Sequence, residues 1–135
     1  MHRLEHEVLL RRAKQFLEEA NTALNMGRFD IACFLAEQAA QLCLKAQLLK
    51  TCGDYPRTHY IRQLLSELAN SIKDEKLRRQ IEDFTRRNRV KLSALEDAYT
   101  MARYTSKTYT REDAQDFIEA AREVIEFVER ILGGV

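Results

Sequence analysis

The sequence predicts an all-α fold, an antiparallel, up-and-down bundle of about five helices. The 135 residues include only four glycines and one proline, so the chain is poor in the residues that favour turns. In most segments apolar residues recur at spacings of three and four, which is the helical period, and no segment shows the alternation of a strand.

Size and composition favour a single domain over residues 1–135, since autonomous domains cluster near this length. Hydrophobic residues make up 45% of the chain and charged residues 32%. No apolar run approaches the roughly 20 residues of a membrane span. The amino terminus also lacks the apolar core of a secretion signal, so we expect a cytoplasmic protein.

The first two helices follow from their apolar patterns. The first is predicted from His2 to about Asn25, with Gly27 just beyond it, where a left-handed backbone costs glycine least. The second, over residues 31–49, is apolar around most of its circumference and is expected to lie at the centre of the bundle.

Three further helices follow a break at Gly53 and Pro56. The third is predicted to have Thr58 as its N-cap and to end near Ile72. A fourth pattern runs from about Asp74 to Ala102, long enough that a bend or break is expected, with Asn88 as the candidate point. The fifth is predicted to begin after Thr110 as N-cap, with acidic residues in its first turn, and to end at Gly133 and Gly134.

The cysteines and the charges exclude some sites and leave others open. The three cysteines are odd in number and form no C-x-x-C pair, so free and mostly buried thiols are expected. Residues 57–91 contain ten basic and five acidic residues. A surface for a polyanion and an ordinary solvated helix face both fit this count, and the basic run at 86–91 has the same two interpretations.

A polar group near the end of the fourth helical pattern is the main candidate site. Glu96, Tyr99 and Arg103 are spaced to share one face. Arg103 can grip a phosphate, while Tyr99 and Tyr104 can stack or donate a hydroxyl hydrogen bond. The structural alternative is a Glu96–Arg103 pair that ties the helix to a neighbour.

Histidines supply two weaker candidates. His59 stands between Arg57 and Arg62, where an imidazole can serve as acid or base or simply make one structural hydrogen bond. His2 and His6 have a spacing that can hold a metal, but no third ligand is evident, so no metal site is predicted.

Three segments in order, "FDIACFLAEQAAQLCLKAQLL", "THYIRQLL" and "DAYTMARY", resemble the HEPN domain, the nucleotide-binding domain of higher eukaryotes and prokaryotes. They span residues 29–104, and the resemblance implies an all-α bundle that forms homodimers. It further implies a small partner of a minimal nucleotidyltransferase and a role in a toxin–antitoxin pair. No cofactor is predicted.

Some members of that family are metal-independent ribonucleases whose arginine is followed four to six residues later by a histidine. Here Arg103 is followed by "YTSKTY", with Tyr109 at the sixth place and no histidine. The resemblance therefore implies binding of a nucleotide or RNA by Arg103, Tyr99, Tyr104, His59 and Glu96, more than it implies catalysis. The alternatives are a ribonuclease with a degenerate site, using Arg103 with His59 or a tyrosine, and a dimeric interaction module without activity.

Overall fold

The computed structural model describes residues 2–133, apart from the side chains of His2 and Arg3, and this range contains six helices and no strand. The helices are α1 (His2–Asn25), α2 (Phe29–Cys52), α3 (Ile61–Ser71), α4 (Glu75–Arg87), α5 (Arg89–Tyr104) and α6 (Arg111–Leu132). They pack as a helical bundle, which confirms the predicted fold class.

The sixth helix arises because the long fourth pattern is divided at Asn88. This residue ends α4 and precedes α5 with φ −109° and ψ 17°. Its side-chain amide donates to the Phe84 carbonyl oxygen at 2.8 Å, the same oxygen that accepts its backbone N–H at 3.1 Å. Side chains that hydrogen-bond their own backbone compete with regular helix and favour such breaks.

Helix α2 is the centre of the bundle and contacts α1, α3, α5 and α6. Its buried positions include many small residues, so neighbouring helices can approach closely. The buried alanines of α2 are Ala32, Ala36, Ala39, Ala40 and Ala46. Gly27, at φ +75°, makes the tight turn between α1 and α2. Among the described residues, Gly53 and Gly133 have the same left-handed backbone at the ends of α2 and α6, whereas Gly134 lies outside the described range.

Two helix N-caps were predicted from sequence, and they differ in outcome. Thr110 caps α6 in a capping box: its hydroxyl accepts from the Asp113 N–H at 3.1 Å, and the Asp113 carboxylate accepts from the Thr110 N–H at 2.9 Å. The Thr58 cap was wrong, because α3 begins at Ile61 after Tyr60. The N–H of Arg62 in its first turn instead donates to the carboxylate of Glu96 on α5 at 2.8 Å.

The cysteines are free, and two of the three are buried. Cys33 and Cys43 lie in the core, where burial raises the pKa of each thiol to about 12. Cys52 is exposed at the end of α2, so the expectation of buried thiols fails there. Within residues 2–133, none of the helices combines the length and the hydropathy that crossing a membrane requires.

Candidate anion-binding cleft

An open cleft of about 590 Å³ lies where the end of α2, the loop before α3 and the middle of α5 meet. We call it the Lys45 cleft. Its lining residues are Glu5, Gln41, Lys45, Leu49, Gly53, Asp54, Tyr55, Arg57, Thr58, His59 and Tyr99. Lys45 and Arg57 are basic and His59 carries an imidazole, so the wall has three groups that can bind an anion. It also carries two carboxylates, those of Glu5 and Asp54.

Lys45 is held at the wall of this cleft by its neighbours. Its ammonium donates to the side-chain oxygen of Gln41 at 2.8 Å and lies 5.4 Å from the centre of the Tyr55 ring. Partial burial lowers the pKa of Lys45, and the negative charge of Glu37 opposes that shift. A desolvated, oriented ammonium loses less on binding a phosphate than a fully hydrated one.

The loop between α2 and α3 supplies another part of the cleft lining. It begins at Gly53, whose left-handed backbone ends α2 and whose N–H donates to the Leu49 carbonyl oxygen. The loop then places Arg57 and His59 in the cleft. The His59 ring stacks on the Tyr99 ring of α5 with centres 4.1 Å apart and planes 11° apart, and the exposed Tyr60 ring follows at 4.2 Å from His59.

Arg103 lies beside the cleft and contacts the Tyr99 ring as well. Its guanidinium carbon is 5.0 Å from the centre of the Tyr99 ring, 4.7 Å from that of Tyr104 and 5.7 Å from that of Phe34 on α2. Cation–π contacts of this kind orient a guanidinium while leaving its N–H groups available. The structure thus brings together four of the predicted residues: Arg103, Tyr99, Tyr104 and His59.

Glu96, the fifth predicted residue, has a different place. It is 4% exposed, and its carboxylate accepts from the Arg62 side chain at 2.9 and 3.0 Å and from the Arg62 backbone N–H at 2.8 Å. The structural alternative, a Glu96–Arg103 pair, is therefore wrong. Residues seven apart on one helix lie on the same face. The start of α3 packs against α5, however, and places the Arg62 side chain within hydrogen-bond distance of Glu96.

Glu37 was not among the residues predicted from sequence. It is 0% exposed, on α2, and its two oxygens accept from the side-chain amides of Gln38 at 2.7 Å and Gln41 at 2.8 Å. Burial raises the pKa of Glu37 to about 7; the two amide hydrogen bonds and Lys45 oppose this shift, and the charge of Glu96 adds to it. The spacing of Glu37, Gln41 and Lys45, a polar stripe in an otherwise apolar helix, was the signal available in the sequence.

Tyr109 cannot replace the histidine that is missing after Arg103, because it faces the core. It is 8% exposed, packs against Phe117 and has its N–H bound to the Asp30 carboxylate at 2.7 Å.

His6 is also buried, and its Nδ1 donates to the Ala46 carbonyl oxygen at 2.9 Å, while the His2 side chain lies outside the described range. Among the described side chains, those of residues 4–133, no group of three or more His, Cys, Asp or Glu residues could hold a metal ion.

The HEPN domain model matches residues 6–131, which is nearly the whole chain. The chain belongs to the HEPN domain family. This HEPN chain is similar to the crystal structure of TT1696 from Thermus thermophilus, with a TM-score of 0.74 and 27% identity over 97% of this chain and 99% of that one. It is also similar to ST0689, described as an archaeal HEPN homologue, with a TM-score of 0.65 and 26% identity over 93% and 97% of the two chains. No curated protein matches it significantly.

Proposed function

We propose that this HEPN protein binds a nucleotide or an RNA strand by its phosphate groups in the Lys45 cleft, with Arg103 at the margin. The observation that carries the proposal is the convergence of Lys45 and Arg57 with stacked rings in one open cleft. Phosphate contacts need fixed cations, and stacking surfaces of aromatic side chains receive bases without regard to sequence. The cleft supplies both.

The test is a calorimetric titration with ATP and with a short single-stranded oligoadenylate. Lys45→Met is expected to weaken oligonucleotide binding about tenfold or more, because a charge-assisted hydrogen bond is worth roughly 1.5–3 kcal/mol. It should also reduce the slope of log affinity against log salt by about 0.7, the value for one phosphate contact on a single strand. Arg103→Ala is expected to weaken binding several-fold.

Lys14→Met is the matched control. Lys14 pairs with Glu129 of α6 and does not line the cleft, so its replacement should leave both the affinity and the salt slope unchanged. Equal binding by wild type, Lys45→Met and Lys14→Met would contradict the proposal, as would the absence of binding by wild type.

One observation favours ribonuclease activity as a second candidate: His59 and Arg103 are both in contact with the Tyr99 ring, at 4.1 and 5.0 Å. An imidazole beside a guanidinium can move a proton while the cation stabilises a phosphate. RNA recovered after the titration distinguishes the two functions. Intact RNA supports binding alone, whereas cleavage that is lost in His59→Gln supports a nuclease.

The biological role that we propose is that of a homodimeric subunit working in the cytoplasm with a minimal nucleotidyltransferase, in the manner of a toxin–antitoxin pair. Membership of the HEPN family supports this role. Light scattering should give twice the monomer mass of 15.8 kDa, and co-purification with a neighbouring nucleotidyltransferase should yield a stable complex. A monomer at all concentrations would contradict the dimer.

A further inference from the structure

Glu37 is a buried carboxylate with an unusual set of neighbours. Among the described side chains, only two neutral amides, those of Gln38 and Gln41, donate to it. Buried carboxylates are ordinarily compensated by a cation in direct contact. Glu96 on the adjacent α5 has such a partner in Arg62, and Glu37 does not.

The charge that compensates Glu37 is instead one amide away, in the cleft. The Gln41 side chain donates to Glu37 at 2.8 Å and accepts from the Lys45 ammonium at 2.8 Å, so it links the buried carboxylate to the wall of the Lys45 cleft. Of the other charged groups around α2, Glu96 on α5 is an anion and Arg62 on α3 is bound to it. Lys14 on α1 and Glu129 on α6 act on Cys43 instead. Glu5 on α1 and Asp54 in the loop before α3 line the cleft with Lys45, and both are anions. The ionised form of Glu37 therefore depends on Lys45.

We infer that an anion entering the Lys45 cleft causes Glu37 to take up a proton, so that anion binding and protonation of this buried carboxylate strengthen each other. The inference rests on the proposed function of the cleft. A bound phosphate neutralises the ammonium that compensates Glu37 and adds negative charge on its far side. Both changes oppose the ionised carboxylate, and the proton is taken from the buffer.

The test uses an oligoadenylate without terminal phosphates, which has no group that titrates near neutral pH. Its affinity for wild type is expected to fall about tenfold between roughly pH 6 and pH 8.5, the factor that corresponds to a rise of one unit in the pKa of Glu37 on binding. Glu37→Gln keeps the shape of the side chain and removes its titration. At the lower pH it should match wild type, and at the higher pH it should bind more tightly.

The comparison isolates Glu37, because His59 and the other titratable groups of the cleft are present in both proteins. Glu126→Gln, which removes an exposed carboxylate from α6, is the control and should follow the wild-type profile. A second readout uses wild type alone and does not depend on Glu37→Gln. Calorimetry of wild type at about pH 7 in two buffers with different ionisation enthalpies should show net proton uptake on binding.

The outcomes separate this inference from the proposed function. If Lys45→Met weakens binding but wild type and Glu37→Gln have parallel pH profiles, the proton link is wrong and the binding site stands. Tighter binding of wild type than of Glu37→Gln at the higher pH would also overturn the link, as would proton release in the two-buffer experiment. If the oligonucleotide does not bind wild type, both proposals fall.

Discussion

Replacement of Glu96 by alanine is expected to destabilise the protein by about 2–3 kcal/mol, one of the largest effects of any single polar substitution in the chain. The carboxylate is buried and accepts three hydrogen bonds from Arg62. One of these satisfies a backbone N–H in the first turn of α3, which has no side-chain cap of its own. Loss of Glu96 thus removes both an ion pair and a helix cap.

The expected loss is smaller than that for a fully buried ion pair because the Arg62 side chain is 40% exposed and water will hydrate it when Glu96 is absent. Urea unfolding of wild type and Glu96→Ala measures the loss. Glu119→Ala is the matched control, since Glu119 makes an exposed pair with Arg122 on α6, and its loss should cost less than about 0.5 kcal/mol. Similar losses for the two variants would show that Glu96 does not join α3 to α5.

Glu37→Gln is expected to make the folded protein more stable relative to wild type as the pH rises. The pKa of Glu37 is about 7 in the folded protein, against an ordinary value of 4.5. Between these values the folded state binds more protons than the unfolded chain, so the contribution of this group to stability declines as the pH increases. Glutamine does not titrate, so the stability of Glu37→Gln lacks this decline with pH.

The relative gain for Glu37→Gln should be near zero at about pH 4.5 and reach about 3 kcal/mol at about pH 8, from the separation of the two pKa values. Unfolding of both proteins by urea at several pH values measures the difference, in which titration of all other groups cancels. A pH-independent difference between the two proteins would contradict a raised pKa for Glu37.

The helices and most of their ends could be predicted because they depend on local signals. The capping box at Thr110 involves residues three apart, and the left-handed turn at Gly27 depends on that residue's own backbone. Asn88 was a correct choice of break for the same reason, since its amide bonds its own helix. The Thr58 cap failed because the competing group, Glu96, comes from another helix 34 residues later than Arg62.

The candidate site was predicted only in part, because tertiary structure and not local spacing brings some of its residues together. Arg103, Tyr99 and Tyr104 are near one another on α5, so helical spacing brings them together, and His59 joins them by stacking that no spacing reveals. Arg57 and Lys45 converge through the loop between α2 and α3, which is a tertiary arrangement. The pattern of α2 shows that Glu37 is polar within an apolar helix, but its pKa depends on burial by neighbours.

The most direct test of the central claim, that the Lys45 cleft binds phosphate, is a titration of protein carrying ¹³C-labelled lysine side chains with oligoadenylate, followed by NMR. We expect the Lys45 resonance to shift first and most, while that of Lys14 stays unchanged. Saturation of the shift should match the calorimetric affinity. Binding that shifts Lys91, in the basic run at 86–91, and leaves Lys45 unmoved would contradict the claim and place the phosphates on a different surface.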